Sequence, residues 1–123
     1  MKSLIEKLSD LEIIKVTVDG TLLPHERKKL HSKAISDLNM NGYNRLLFDV
    51  RKSIVHPNYT ADDSIDMANY MKTFELPKNT KLAFINIGTE TPHKTFIIFA
   101  SIIGDMDIKH FINYDEAINW LCQ

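Results

Sequence analysis

Leu46-Leu47-Phe48-Asp49-Val50 is the stretch that decides the fold. Successive strand side chains alternate between faces, and here apolar residues fall on both, so the segment reads as an interior strand covered on each side. Lys81-Leu82-Ala83-Phe84-Ile85-Asn86-Ile87 reads the same way and is closed by Gly88. Between the two lies a polar stretch from Arg51 to Tyr59, followed by signals for a helix. Thr60 stands as an N-cap, Asp62 and Asp63 suit the positive end of the helix dipole, and Ala61, Ile65, Ala68, Met71 and Phe74 recur near helical spacing. Leu76-Pro77-Lys78-Asn79 stops that helix.

Outward from this centre the alternation continues. Upstream, residues 12–18 place Ile14, Val16 and Val18 on one face and Ile13, Lys15 and Thr17 on the other, the period of a strand with one wet face. Ser9-Asp10 suits a turn, so that Ser3 to Leu8 reads as a short antiparallel partner strand or, as the alternative, a helical turn, and Asp19-Gly20 is expected to end the strand. Pro24 opens a helix where its missing N–H has no partner to lose, and Glu26 follows in the first turn. Leu30, Ala34, Ile35 and Leu38 form its stripe, and Asn41-Gly42 is its stop. Downstream, Thr91-Pro92 starts a helix that runs to Gly104, and Ile108 to Ile112 is a more polar, edge-like strand. Asn113 caps a last helix, with Glu116 at the capping-box spacing and Ala117, Trp120 and Leu121 on one face, so that Trp120 is expected to be mostly buried. The order is α/β: a four- to five-stranded, mostly parallel sheet packed with about four helices, with an N-terminal hairpin if Ser3 to Leu8 is a strand.

At 123 residues the chain is expected to form one domain, 1–123, with a core that needs neither disulfide nor metal. Fifteen Lys and Arg against sixteen Asp and Glu give a formal charge of -1, which argues against a basic domain for non-specific nucleic-acid binding. The single cysteine, Cys122, excludes an internal disulfide framework and a multi-cysteine zinc site. The longest apolar run, Phe96 to Ala100, is too short to cross a bilayer, and Glu6 and Lys7 interrupt what a secretion signal would keep apolar. The expectation is a cytoplasmic protein.

Three segments stand out together: Asp19-Gly20-Thr21 after the early strand, Leu47-Phe48-Asp49-Val50-Arg51 in the next, and the tail Phe111-Ile112-Asn113-Tyr114-Asp115-Glu116-Ala117-Ile118-Asn119-Trp120-Leu121. With them the chain resembles the SpoIIAA-like family, small bacterial domains related to STAS domains and to the CRAL-TRIO lipid-binding fold. The resemblance covers nearly the whole chain in order and spacing. It implies a STAS-like fold and an association with apolar ligands or membranes, and it implies no reaction. Anti-sigma-factor antagonists of this kind resemble one another in an Asp-Ser-(Ser)-Gly segment whose serine is phosphorylated. The matching stretch is Thr60-Ala61-Asp62-Asp63-Ser64-Ile65-Asp66, where no glycine follows and aspartates surround Ser64. A phosphate on Ser64 would meet like-charge repulsion, and the plainer reading is a capped acidic first turn.

Catalytic signatures are missing. The only glycines are Gly20, Gly42, Gly88 and Gly104, so neither a phosphate loop nor a nucleophile elbow can be built. His25, His31, His56, His93 and His110 show no metal-ligand spacing, so no metal and no cofactor is expected, and the protein reads as a non-enzyme. Ligands of open α/β sheets settle beyond the carboxyl ends of the strands. Two loops are expected to meet there, Arg51-Lys52-Ser53 with His56, and Gly88-Thr89-Glu90-Thr91 with His93 and Lys94. Their cations and a helix N-terminus suit an anion or head group, against the plainer reading of solvated cations and a cap. The helix that starts there is apolar from Phe96 to Ile103 except at Ser101, and Lys94, Ser101 and Asp105 fall within about 40° of one another. Such a helix is expected to be covered on more than one side. It is buried core, or a homodimer face, or the lining of an apolar pocket or peripheral membrane contact in which Ile97, Ile98, Phe99 and Ile102 would touch the ligand. The function expected is a non-enzymatic binding or regulatory domain for an apolar or amphiphilic small molecule or a membrane surface. The alternative is an anti-sigma-antagonist-like interaction module switched near Ser64.

Overall fold

The computed structural model describes residues 1–85, 96–98, 100–101 and 107–123. Strand β1 (Lys2–Leu8) pairs antiparallel with β2 (Ile13–Leu22), and β3 (Arg45–Val55), β4 (Lys81–Ile85) and β5 (Asp107–Phe111) follow in parallel, so the strands lie in chain order in one five-stranded sheet. Helix α1 (Pro24–Asn41) connects β2 to β3, α2 (Ala61–Lys72) connects β3 to β4, and α3 (Tyr114–Leu121) closes the chain. Phe96, Ile97, Ile98, Ala100 and Ser101 are helical between β4 and β5. The ends expected at Ile87, Gly88, Thr91-Pro92 and Gly104 lie outside the described residues.

The helix ends form where their capping chemistry stands. Pro24 occupies the first turn of α1, and its far end closes on Gly42 at φ 66°, with Gly42 N–H donating to Asn39 O and Tyr43 N–H to Leu38 O. That left-handed residue is the one a side chain would strain. Thr60 and Asp63 make a reciprocal capping box at the start of α2, and Asn113 Oδ1 accepts from Glu116 N–H at the start of α3.

Strand order that follows chain order, with crossovers of one hand, puts the connecting helices on one face. That face holds the larger core: Ile14, Val16, Val18, Leu46, Phe48, Val50, Leu82 and Phe84 from the sheet, against Leu30, Ala34, Ile35 and Leu38 of α1, Met67, Ala68 and Met71 of α2, and Phe96 and Ala100. The opposite face packs Ile13, Leu47, Ala83, Ile85 and Phe111 under Ala117 and Leu121 of α3. Both interior runs are thus buried on both sides, as their composition requires.

Two strand ends differ from expectation. Asp19-Gly20 does not end β2, and β3 does not stop at Val50; the two run on together, pairing Asp19 with Lys52 through Leu22 with Val55. A bulge between Thr17 and Asp19 takes up the irregularity, and Gly20 at φ 94° supplies a backbone that other residues rarely adopt. The overhang moves Arg51, Lys52 and Ser53 from a loop into a strand. Trp120 is mostly buried, as expected, though less completely than its neighbours: Ala117 and Leu121 take the fully inward positions of α3, while the indole leans on Phe111 at 5.6 Å beneath Lys81 Nζ at 5.2 Å.

Candidate functional site

The carboxyl edge of the parallel strands gathers the first turn of α1, the loop before α2 and the helical turn at Phe96. The stripe of α1 extends N-terminally from Leu30 to Arg27 and continues through His31, so two polar residues sit on its inward face. Arg27 is 2% exposed. Its guanidinium stands over the Phe96 ring at 4.4 Å and 5.9 Å from the rings of Phe84 and Tyr59, and Nη1 donates to Tyr59 Oη at 3.1 Å. Burial lowers its affinity for its proton, and the neighbouring Tyr59 works against that shift. His31, one turn further on, stacks on Phe48 at 4.3 Å and lies with Nδ1 at 3.2 Å from Met71 Sδ. Phe48, Phe84 and Phe96 complete a continuous aromatic column beneath these two residues, with centroids 4.9 and 5.6 Å apart.

The other face of the same edge is polar and open. Asp49 and Arg51 are two apart on β3 and share a face, and Arg51 grips Asp49 with Nε on Oδ1 at 2.9 Å and Nη2 on Oδ2 at 2.7 Å. Burial pushes the Asp49 carboxyl up, but the hydrogen bonds and charge of Arg51, with the charge of Lys15, outweigh it and hold the group below its ordinary value. The hydrogen bond to Asp49 in turn raises the Arg51 guanidinium. Lys15 and Arg51 both lie near the ring of Tyr114, at 5.0 and 5.9 Å. Lys15, Thr17, Val18, Asp49, Arg51 and Lys52 line a cleft of about 370 Å³.

Of the residues singled out in the sequence, Arg51 is therefore bound to a carboxylate, Lys52 is exposed in the overhang, and His56 lies in the loop after β3, where its Nδ1 accepts from Asn58 N–H at 3.1 Å. Ile97 is half-buried against the main core, and Ile98 is 57% exposed. Thr91, His93, Lys94, Phe99 and Ile102 lie outside the described residues. Ser64 is fully buried. The inward stripe of α2 is Ser64, Met67, Ala68 and Met71, with Ala61 exposed, so the serine stands on the packed face of the helix. Sequence reasoning missed Arg27 and the burial of Ser64 for one reason: both polar residues fall at the spacing of an apolar stripe that is read from its apolar members alone.

Among the described residues no cluster of three or more His, Cys, Asp or Glu side chains is placed to hold a metal ion. No helix of the described residues is long and apolar enough to cross a membrane.

Solved structures share this architecture along nearly the whole chain. An anti-sigma factor antagonist from Mycobacterium paratuberculosis is 15% identical, with a TM-score of 0.63 over 99% of this chain and 94% of that one. An uncharacterized protein of the DUF3478 family from Shewanella loihica PV-4, with a SpoIIAA-like fold, is 18% identical, with a TM-score of 0.58 over 98% of this chain and 93% of that one. The chain has the SpoIIAA-like fold. No protein-family model matches it, and no curated protein does.

Proposed function

We propose that the protein is a non-catalytic interaction module that docks another protein at the carboxyl edge of its sheet, with no phosphorylation switch at Ser64. The observation that carries this reading is the correspondence of fold, end to end, with an anti-sigma factor antagonist. Ile54 at the end of β3 and Ile98 in the turn beside Phe96 are both large, apolar and more than half exposed, which suits a docking surface. A phosphate on Ser64 would bring a charge of about -2 into the packed face of α2, beside Asp63, at a large desolvation penalty.

The test is crosslinking-assisted affinity capture with wild type, Ile98→Glu and Ser64→Ala proteins, all verified as folded. A partner held by wild type and Ser64→Ala but lost by Ile98→Glu is the expected result. A partner that depends on phosphate at Ser64, or capture that does not distinguish wild type from Ile98→Glu, sinks the reading. A second reading is favoured by the same exposure of Ile98: the edge takes an amphiphilic small molecule, a membrane surface or a second copy of the chain. Native mass spectrometry before and after organic extraction tells the first from the last, through an extractable adduct or a dimer mass, and flotation with lipid vesicles reads the membrane case.

A further inference from the structure

We propose that Arg27 is an anion-binding residue, whose Nη2 takes an oxygen of a ligand carboxylate or phosphate at the carboxyl edge of the sheet. The inference is independent of protein docking and rests on an incomplete set of hydrogen bonds. A guanidinium stays charged in a protein and carries five N–H donors. Nη1 of Arg27 meets Tyr59 Oη, but Nη2 is buried and has no hydrogen-bond partner among the described residues. Buried polar groups are ordinarily paired, and an orphaned charged donor points to a missing acceptor.

Among the described residues no carboxylate supplies it. The ion pairs among the described residues are Lys28 with Asp66 and Arg51 with Asp49, and neither includes Arg27. The rings of Phe96, Phe84 and Tyr59 offset part of the cost of burying the cation, but ring faces are weak acceptors. The surroundings favour an anion over a neutral acceptor. Arg27 stands in the opening turns of α1, and its partner Tyr59 immediately precedes Thr60, the N-cap of α2. Two helix N-termini thus add their positive ends to a full positive charge in apolar surroundings. A charge-assisted bond from Nη2 to an oxyanion would complete the guanidinium and neutralise it together.

The experiment uses the full chain labelled with ¹⁵N, and follows the Arg27 guanidinium and the Tyr59 ring by NMR. Inorganic phosphate and acetate are titrated in turn at constant ionic strength, with chloride as the control. Phosphatidylcholine vesicles with and without phosphatidate form a separate arm. A saturable shift at Arg27 with phosphate or acetate, and none with chloride, is expected, and Arg27→Lys is expected to weaken it by about tenfold or more, the loss of one charge-assisted hydrogen bond. A response to phosphatidate vesicles alone assigns the anion to a lipid head group and supports the proposal equally. Arg27 signals that ignore every anion would overturn it and leave a trapped water as the acceptor. A shift of equal affinity in Arg27→Lys, centred away from residue 27, means an adventitious ion only and overturns it too. If Arg27→Lys does not fold, the wild-type guanidinium shift decides alone.

Discussion

On the face of the sheet that carries α1 and α2, Arg27 is closed in by aromatic rings with one hydroxyl for a partner; on the opposite face, Arg51 reaches solvent and forks onto Asp49. The two residues carry the same charge at the same edge of the same sheet. What differs is the cover. Two long helices and the turn at Phe96 seal the first face, whereas α3 has only eight residues and covers part of the second. A sealed face keeps a cation only where rings and an oriented acceptor replace water, and an open face lets a carboxylate two residues away do so. Arg51 is thereby a poor free cation for a ligand, and Arg27 is the one with an unused donor.

The largest effects should separate the two faces by stability. Phe84 stacks on Phe48 and meets Phe96 edge-on, so Phe84→Ala should cost about 3–5 kcal/mol by urea denaturation. Leu47→Ala, beneath the shorter α3, should fall near the low end of the range of about 2–5 kcal/mol for such truncations. A Leu47→Ala loss equal to or above that of Phe84→Ala would break the asymmetry.

A smaller effect sharpens the electrostatic half of the comparison. Asp49 is held below its ordinary value in the folded protein, so its stabilising contribution is full above the unfolded carboxyl's value and fades as pH falls through the folded one. Arg51 is exposed, so Arg51→Ala should cost about 1 kcal/mol or less at neutral pH. The same change removes the opposing cation and leaves burial to act, so the Asp49 carboxyl should titrate higher, as read by carboxyl ¹³C NMR. An unchanged Asp49 titration would show that Lys15 or the backbone, and not Arg51, sets its charge.

The same contrast explains what was legible from the residues. The interior runs at 46–50 and 81–85, the hairpin and the caps at Pro24, Gly42, Thr60 and Asn113 rest on local chemistry, and each formed as its local sequence dictates. The overhang of β2 and β3 rests on the pairing of two distant polar segments, and Asp19-Gly20 has the same composition in a bulge as in a strand end. Arg27 and Ser64 were hidden because burial of a polar side chain depends on tertiary partners: Tyr59 is 32 residues from Arg27 in sequence. Trp120, by contrast, was legible: it shares a side of the helical wheel with Ala117 and Leu121 and packs on the same cluster, at the border of the buried face.

The smallest effect on stability carries the largest consequence for function. Ile98 belongs to the turn whose neighbours Phe96 and Ala100 are fully buried, and yet it stays more than half exposed. Helical spacing accounts for this: residues 96 and 100 are four apart and share the inward face, while residue 98 is about 200° from the first of them. A glutamate there keeps its charge in water, so Ile98→Glu should shift stability by no more than about 0.5 kcal/mol. Its melting curve should superimpose on that of the wild type while Phe96→Ala, two residues away, loses about 3–5 kcal/mol. A strongly destabilised Ile98→Glu protein would mean that Ile98 is packed in solution, and the exposed edge on which docking depends would then be core.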